Sequence, residues 1–193
     1  MIRLANLARE GRALPSGAHG SSLVTTRRAV TRDLALSCSQ IICGSNKARK
    51  QLNAEMRAFQ NFTADLPQKG ERLICLRNNP KDGLLNGQMI DLDSDAYTSH
   101  SGFVVLHSVE GQRILAHSKS FNDPDALKTW SFNARKRANE FDWAWAITAH
   151  KAQGSEWDSV LVWADMFKWS RDLYRQWLYT ACTRASDRVV VAL

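Results

Sequence analysis

The fold of this chain is decided by residues 146–157, which read Ala146-Ile147-Thr148-Ala149-His150-Lys151-Ala152-Gln153-Gly154-Ser155-Glu156-Trp157. The segment predicts a short buried strand that runs into a polar loop. In open α/β sheets, loops of this kind contact ligands at the carboxyl ends of the strands. Gly154 permits close backbone approach or an unusual φ angle, and its neighbours supply hydrogen-bond donors and one carboxylate. The residues alone therefore indicate a candidate ligand-binding loop.

Elements on both sides of this loop predict an α/β domain. Buried strands are expected at residues 40–44, 143–148, 159–164 and 189–193. Helices are expected at 2–9, at about 46–59 with Ser45 as N-cap, and at about 168–184. The helix at 46–59 has an apolar stripe (Ala48, Leu52, Met56, Phe59) and a polar, basic face (Asn46, Arg49, Lys50, Asn53, Arg57). This alternation predicts a mainly parallel sheet.

The middle of the chain has a different pattern. Short strands are expected at residues 72–76, 87–92, 102–106 and 113–116, separated by turn-rich stretches. Such closely spaced strands predict a small antiparallel barrel inserted into the α/β domain. The expected organisation is a first part of the α/β lobe at 1–68, a β insert at 69–128, and the remainder of the lobe at 129–193.

Length, composition and charge indicate a globular domain with a basic first third. The 193 residues suit one domain with a small insert, and 44% hydrophobic with 23% charged residues is typical of a globular protein. Residues 1–60 hold ten Lys/Arg against three Asp/Glu, so the formal charge of +7 is concentrated there. A local positive field of this kind suits a polyanion, although a solvated basic face would look the same.

The sequence does not indicate a membrane, secreted or zinc-binding protein. The sequence has no apolar run of membrane-spanning length and no signal-peptide core, so we expect a cytoplasmic protein without a membrane partner. Its four cysteines lack the spacing of a zinc set, so we expect reduced, buried thiols and no metal site.

The decisive loop resembles motif V of superfamily-one helicases, in the form found in the RecD-like and Dda-like group. The shared pattern is Thr-x-His-Lys-x-Gln-Gly-Ser-Glu, here Thr148 to Glu156. In that family the loop contacts both the single strand and the nucleotide. The resemblance places three residues on the DNA side (Thr148, His150, Lys151) and three on the ATP side (Gln153, Gly154, Glu156).

A second segment, Tyr179-Thr180-Ala181-Cys182-Thr183-Arg184-Ala185, resembles motif VI of the same family. There the arginine reaches the γ-phosphate as an arginine finger, so the resemblance assigns the catalytic and ATP-binding role to Arg184. It implies that Arg184 and the Gln153–Glu156 bend lie on the same edge of the sheet. Such a role requires a permanently charged, bidentate donor. Without the family, an arginine at a helix end would be explained by the helix dipole.

Two weaker resemblances complete the pattern. The strand and helix around residues 43–53 are similar to the element that opens the second helicase lobe, where Asn46 and Arg49 would hold a DNA backbone phosphate. An ordinary solvated face is an equal alternative. The insert is similar to the SH3-like subdomain of these helicases. The resemblance thus implies a RecA-like, P-loop NTPase-type lobe, the UvrD-like C-terminal one, with an SH3-like β-barrel inserted.

The ATP-gripping loop G-x-x-x-x-G-K-[ST] is absent from the sequence. Val160 to Asp165 looks like a Walker B strand, but the family carries Walker B in the other lobe, so we interpret it as a core strand. We therefore expect the carboxyl half of a longer protein.

The implied function is the C-terminal half of an ATP-dependent, 5′-to-3′ DNA helicase that supplies the arginine finger and the DNA-coupling loop. Its partners would be single-stranded DNA and an N-terminal motor lobe. ATP and Mg²⁺ would bind only together with that lobe, and the chain alone would not hydrolyse ATP. The alternative is a non-catalytic module, derived from a helicase lobe, that binds nucleic acid or a partner protein.

Overall fold

The computed structural model describes residues 2–122, 124–165 and 170–193. The chain divides into two compact units: residues 1–60 together with 145–193, and residues 61–144. The β insert expected at 69–128 lies inside the second unit.

The elements are numbered in chain order. The described residues contain the helices α1 (Ile2–Glu10), α2 (Arg32–Leu36), α3 (Asn46–Phe59), α4 (Lys119–Asn122), α5 (Phe132–Arg135) and α6 (Arg171–Cys182). Short 3-10 turns lie at Arg27–Ala29 and Pro124–Thr129. The strands are β1 (Gly17–His19), β2 (Ser22–Thr25), β3 (Gln40–Cys43), β4 (Arg72–Cys75), β5 (Met89–Asp91), β6 (Tyr97–Thr98), β7 (Val104–His107), β8 (Arg113–Ala116), β9 (Phe141–Trp143), β10 (Ala146–Thr148), β11 (Trp157–Trp163) and β12 (Ala185–Ala192).

The first unit is built on a six-stranded sheet in the order β1-β2-β12-β11-β3-β10. Every neighbouring pair is parallel except β1 with β2. Parallel strands covered on both faces are apolar along their length, and residues 160–162 and 189–191 are almost fully buried. The predicted α/β fold with a parallel sheet is therefore confirmed. Because the strands are parallel, the sheet has one edge of carboxyl ends (the carboxyl edge) and one of amino ends (the amino edge).

Helix α3 covers residues 46–59, as predicted. The Ser45 hydroxyl accepts a hydrogen bond from the Ala48 amide at 3.1 Å, which confirms the expected N-cap. Leu52 and Met56 are buried in the core cluster that α3 forms with the sheet. The predicted polar face was wrong at Arg49 and Asn53, which are 9% and 3% exposed because they bond to groups within the unit.

Helix α6 packs against α1. It begins at Arg171 after an N-cap hydrogen bond from the Leu173 amide to the Ser170 hydroxyl. The first residues predicted for this helix, Lys168 and Trp169, lie outside the described residues. Trp177 is buried as expected of a core-facing position.

The second unit contains two three-stranded antiparallel sheets, in the orders β5-β4-β9 and β6-β7-β8. All four strands expected in the insert are present, within a few residues of their predicted ends. The single strand expected at 143–148 is instead two strands in different sheets, β9 and β10. The antiparallel sheets are compatible with an inserted barrel-like part.

The four cysteines are free and buried, as predicted. Desolvation raises the pKa of Cys43 to about 12 and that of Cys182 to about 12. Among the described residues, no helix has the length and apolar content needed to cross a bilayer.

Candidate functional site

The amino edge of the sheet brings motifs V and VI together. β11 and β12 run side by side with Trp157 level with Ala185. The Trp157 amide donates to the Arg184 carbonyl at 2.9 Å. The residues that precede the two strands are therefore neighbours, although about thirty positions separate them in the sequence.

The Arg184 side chain lies against the motif V loop. Its Nη1 donates to the Ser155 carbonyl at 3.2 Å, and its Nε donates to the Thr180 carbonyl at 3.3 Å. Nη2 lies 3.3 Å from the Thr183 hydroxyl. The expectation that Arg184 and the Gln153–Glu156 bend occupy the same edge of the sheet is confirmed by these contacts. The three acceptors are neutral and the distances are long, so the guanidinium keeps its capacity to bind a stronger, anionic acceptor.

The bend itself is an open turn. Gly154 has a φ of +86°, which L side chains rarely adopt, and a Cβ built at this position would meet no atom within 4 Å. Gly154 is therefore required by the backbone conformation of the turn, and the space beside its Cα is open. Gln153 and Glu156 are exposed on either side.

A cleft of about 330 Å³ lies next to Glu156, and its lining is partly polar. The lining residues are Ile2, Ala5, Asn6, Glu156, Tyr179, Thr183, Ala185 and Ser186. Sequence reasoning missed the contributions of Asn6 and Tyr179. Asn6 lies on α1, where helical spacing predicted only an amphipathic helix, so no signal in the sequence linked it to Glu156.

The DNA-side residues predicted for motif V lie at the other edge. Thr148 is the last residue of β10 and is paired in register with Cys43 of β3. Trp163, the last residue of β11, is also paired with Cys43. Strand β11 covers seven residues, so its first residue, Trp157, is about 20 Å from that level along the strand. The loop at 149–156 thus runs from the carboxyl edge to the amino edge. His150 is exposed and Lys151 is half-buried.

The start of α3 is occupied by an internal carboxylate. Asp165, which follows β11 and is 6% exposed, accepts from the Gly44 amide at 2.6 Å and the Ser45 amide at 3.0 Å. The Ser45 hydroxyl donates to the same carboxylate. These amides belong to the helix N-terminus at which the sequence indicated a DNA phosphate. The predicted core strand is present, but the bonding role of Asp165 was missed.

Asn46 and Arg49 are brought together but differ in exposure. The Arg49 Nε donates to the Asn46 Oδ1 at 3.3 Å, and Arg49 is buried whereas Asn46 is exposed. Arg49 therefore orients the Asn46 side chain, and Asn46 is the member of the pair that meets solvent.

One more buried polar residue of α3 supports the loop. The Asn53 Oδ1 accepts from the Ala146 amide at 2.9 Å, and its Nδ2 donates to the Ala146 carbonyl at 2.9 Å. Asn53 thereby pairs with the free side of β10, the last strand in the order of the sheet. Because β10 leads directly into motif V, Asn53 fixes the start of the loop.

No group of three or more His, Cys, Asp or Glu side chains within residues 2–122, 124–165 and 170–193 could hold a metal ion.

Comparison with known proteins agrees with this geometry. Residues 143–192 match the UvrD-like helicase C-terminal domain family. The fold is similar to Pif1 from Bacteroides bound to single-stranded DNA, with 16% identity, a TM-score of 0.53, and coverage of 100% of this chain and 48% of that one. No curated protein matches the sequence.

Two further solved structures give the same result. A structure of two coordinating Pif1 helicases at forked double-stranded DNA has 16% identity and a TM-score of 0.55, covering 100% of this chain and 46% of the other. Pif1 from Candida albicans has 13% identity and a TM-score of 0.54, covering 100% of this chain and 52% of the other. The chain spans about half the length of these solved chains.

The parallel sheet is that of a RecA-like lobe, as the sequence predicted. The segment that carries the two paired motifs at its amino edge is similar to the UvrD-like helicase C-terminal domain.

Proposed function

We propose that this chain supplies the nucleotide-sensing and DNA-coupling half of an ATP-dependent DNA helicase that moves 5′ to 3′. The observation that carries the proposal is the contact of the Arg184 guanidinium with the motif V bend, because that bend continues directly to His150 at the opposite edge of the sheet. One continuous loop could then report the state of a nucleotide to a bound strand.

The chemistry of the amino edge fits one half of an ATP site. Arg184 would bind the γ-phosphate, for which its contacts with three neutral oxygens leave it available. Glu156, exposed beside the cleft, can accept from a ribose hydroxyl or orient a water molecule. Gln153 and the open space at Gly154 allow close approach of the ligand. When bound, ATP with Mg²⁺ supplies the transferable phosphoryl group.

The remaining parts of the ATP site would come from an N-terminal motor lobe. This sequence contains no G-x-x-x-x-G-K-[ST] loop to hold the β- and γ-phosphates. A P-loop lobe, in the same longer protein or as a separate subunit, would therefore be an obligatory partner. The chain alone is expected to lack ATPase activity.

The carboxyl edge fits a single strand of DNA. His150 and Asn46 are exposed there, and Thr148 and Lys151 are adjacent. Their amide, hydroxyl and cationic groups suit phosphate oxygens. The solved structures of similar fold include Pif1 bound to single-stranded DNA and two Pif1 helicases at forked double-stranded DNA, which supports DNA as the polymer.

A non-catalytic module that binds nucleic acid or a partner protein is the second candidate. The lack of a P-loop in the sequence favours it. Joining a P-loop lobe to the chain distinguishes the two candidates. A motor half would gain DNA-stimulated ATP turnover, whereas a binding module would not.

The proposal is tested by giving the purified chain ATP and a fluorescent single-stranded oligonucleotide. We expect salt-dependent DNA binding and no ATP turnover. His150→Gln with Lys151→Gln should weaken DNA binding about tenfold, which corresponds to about 1.4 kcal/mol. The matched control, His100→Gln with Lys81→Gln at exposed positions of the second unit, should change it less than twofold. Robust ATP turnover by the chain alone, or equal effects of the two variants, would contradict the proposal.

A further inference from the structure

A second cationic group lies at the carboxyl edge, at the end of β2. The 3-10 turn Arg27–Ala29 follows that strand directly. The Arg27 amide donates to the Leu193 carbonyl at 3.0 Å, and the Leu193 amide donates to the Thr25 carbonyl at 2.9 Å. These two bonds fasten the turn to the carboxyl end of β12, so Arg27 and Arg28 have a defined position on the edge.

Both arginine side chains are exposed, and neither has a hydrogen-bond or ion-pair partner in the part of the chain that the structure describes. Two other arginines of the unit are engaged, since Arg32 donates to the Phe59 carbonyl and Arg188 to the Ser37 hydroxyl. Arg3 and Arg9 of α1 are exposed like Arg27 and Arg28, but they are six positions apart and not adjacent. Two adjacent cations without a bonded anion repel each other, and an anion from outside the unit would relieve that repulsion.

Asp33, in the first turn of α2 and five residues after Arg28, is exposed, whereas two other acidic side chains are already engaged. The Asp165 carboxylate is buried by its bonds to Gly44 and Ser45, and Asp172 at the start of α6 pairs with Arg175 at 3.6 Å. Near these turns, exposed positive charge from Arg27, Arg28 and Lys47 therefore exceeds the exposed negative charge of Asp33.

We propose that Arg27 and Arg28 form a second phosphate-binding point for the same single strand that binds at His150. The inference rests on the proposed DNA-binding function and adds a second contact with the DNA backbone. From β2 to β10 the sheet has four strand intervals, so the two points are about 19 Å apart across the carboxyl edge. Charge at that spacing recognises the backbone of an extended strand without reading its sequence.

The experiment measures the affinity of the whole chain for a twelve-nucleotide oligothymidine at several salt concentrations. Each phosphate contact contributes about 0.7 to the slope of log affinity against log salt for a single strand. Arg27→Gln with Arg28→Gln should therefore reduce the slope by about 1.4. The control, Arg3→Gln with Arg9→Gln, removes the same charge from exposed positions of α1 in the same unit and should leave the slope unchanged.

Two failures are distinguishable. A slope for the Arg27/Arg28 variant equal to that of the α1 control, with the His150/Lys151 variant still impaired, would overturn the second binding point and leave the proposed function intact. Absence of salt-dependent binding by the unmodified chain would overturn both.

Discussion

The amino edge and the carboxyl edge of the six-stranded sheet offer different chemistry. At the amino edge, Arg184 lies among neutral oxygens beside a small cleft with the carboxylate of Glu156. At the carboxyl edge, exposed basic side chains project while the Asp165 carboxylate is buried. A cleft of mixed polarity suits a small ligand, whereas an edge of like charge suits a polymer backbone. The loop at 149–156 connects the two, and this connection explains how one lobe could couple two ligands.

The largest expected effect comes from the amino edge. In a protein that joins this lobe to a P-loop lobe, Arg184→Lys should lower kcat for ATP by about 10³-fold, because lysine lacks the planar, bidentate donor that stabilises the transferring phosphoryl group. Steady-state ATPase measurements check this. Arg188→Lys is the matched control, since Arg188 lies in β12, the strand that follows Arg184, and bonds to Ser37. A loss of less than tenfold for Arg184→Lys would remove its proposed role.

A smaller effect is expected where the loop leaves the sheet. Asn53→Leu would leave both the amide and the carbonyl of Ala146 without their side-chain partner, at a cost of about 1–3 kcal/mol for each buried group. We expect the free energy of unfolding in urea to fall by about 2–4 kcal/mol. Gln51→Leu on the exposed face of the same helix should change it by less than about 0.5 kcal/mol. Equal effects would mean that Asn53 does not anchor β10.

Weakening the bonds of Asp165 at the carboxyl edge should have the smallest of these effects. Asp165→Asn keeps the shape of the side chain but removes its charge and one acceptor, so the bonds from Gly44 and Ser45 weaken. We expect a loss of about 1–3 kcal/mol in the free energy of unfolding. The control is Asp158→Asn, an exposed residue of β11 whose Oδ1 accepts from the Ser186 hydroxyl at 3.3 Å. An unchanged free energy of unfolding for Asp165→Asn would show that the bonds of Asp165 to Gly44 and Ser45 are dispensable.

The sequence predicted the features that depend on neighbouring residues. Apolar runs such as Val160 to Val162 identified the buried strands, and Ser45 identified the start of α3. The motif pattern predicted that Arg184 and the Gln153–Glu156 bend share an edge, and the structure confirms it. Their chemical roles, and those of the proposed DNA-side residues, remain predictions.

The features that the sequence did not predict mostly depend on pairs of residues that are far apart in the chain. Asn53 was assigned to a solvated face because helical spacing placed it with Arg49, but its partner Ala146 is 93 positions away. Asp165 bonds to Gly44 from 121 positions away, and no local pattern indicates that pairing. The break between β9 and β10 was also missed, because the apolar run through Trp143 and Trp145 has no glycine or proline to mark it.

The central claim is that one loop links a strand bound at the carboxyl edge to the nucleotide contacts at the amino edge. Hydrogen exchange of the chain, with and without a single-stranded oligonucleotide, tests it most directly. We predict that DNA slows exchange at residues 149–151 and, about 20 Å away, at residues 155–157. Protection that ends at Lys151 and leaves the amides of Ser155 to Trp157 unchanged would contradict the account.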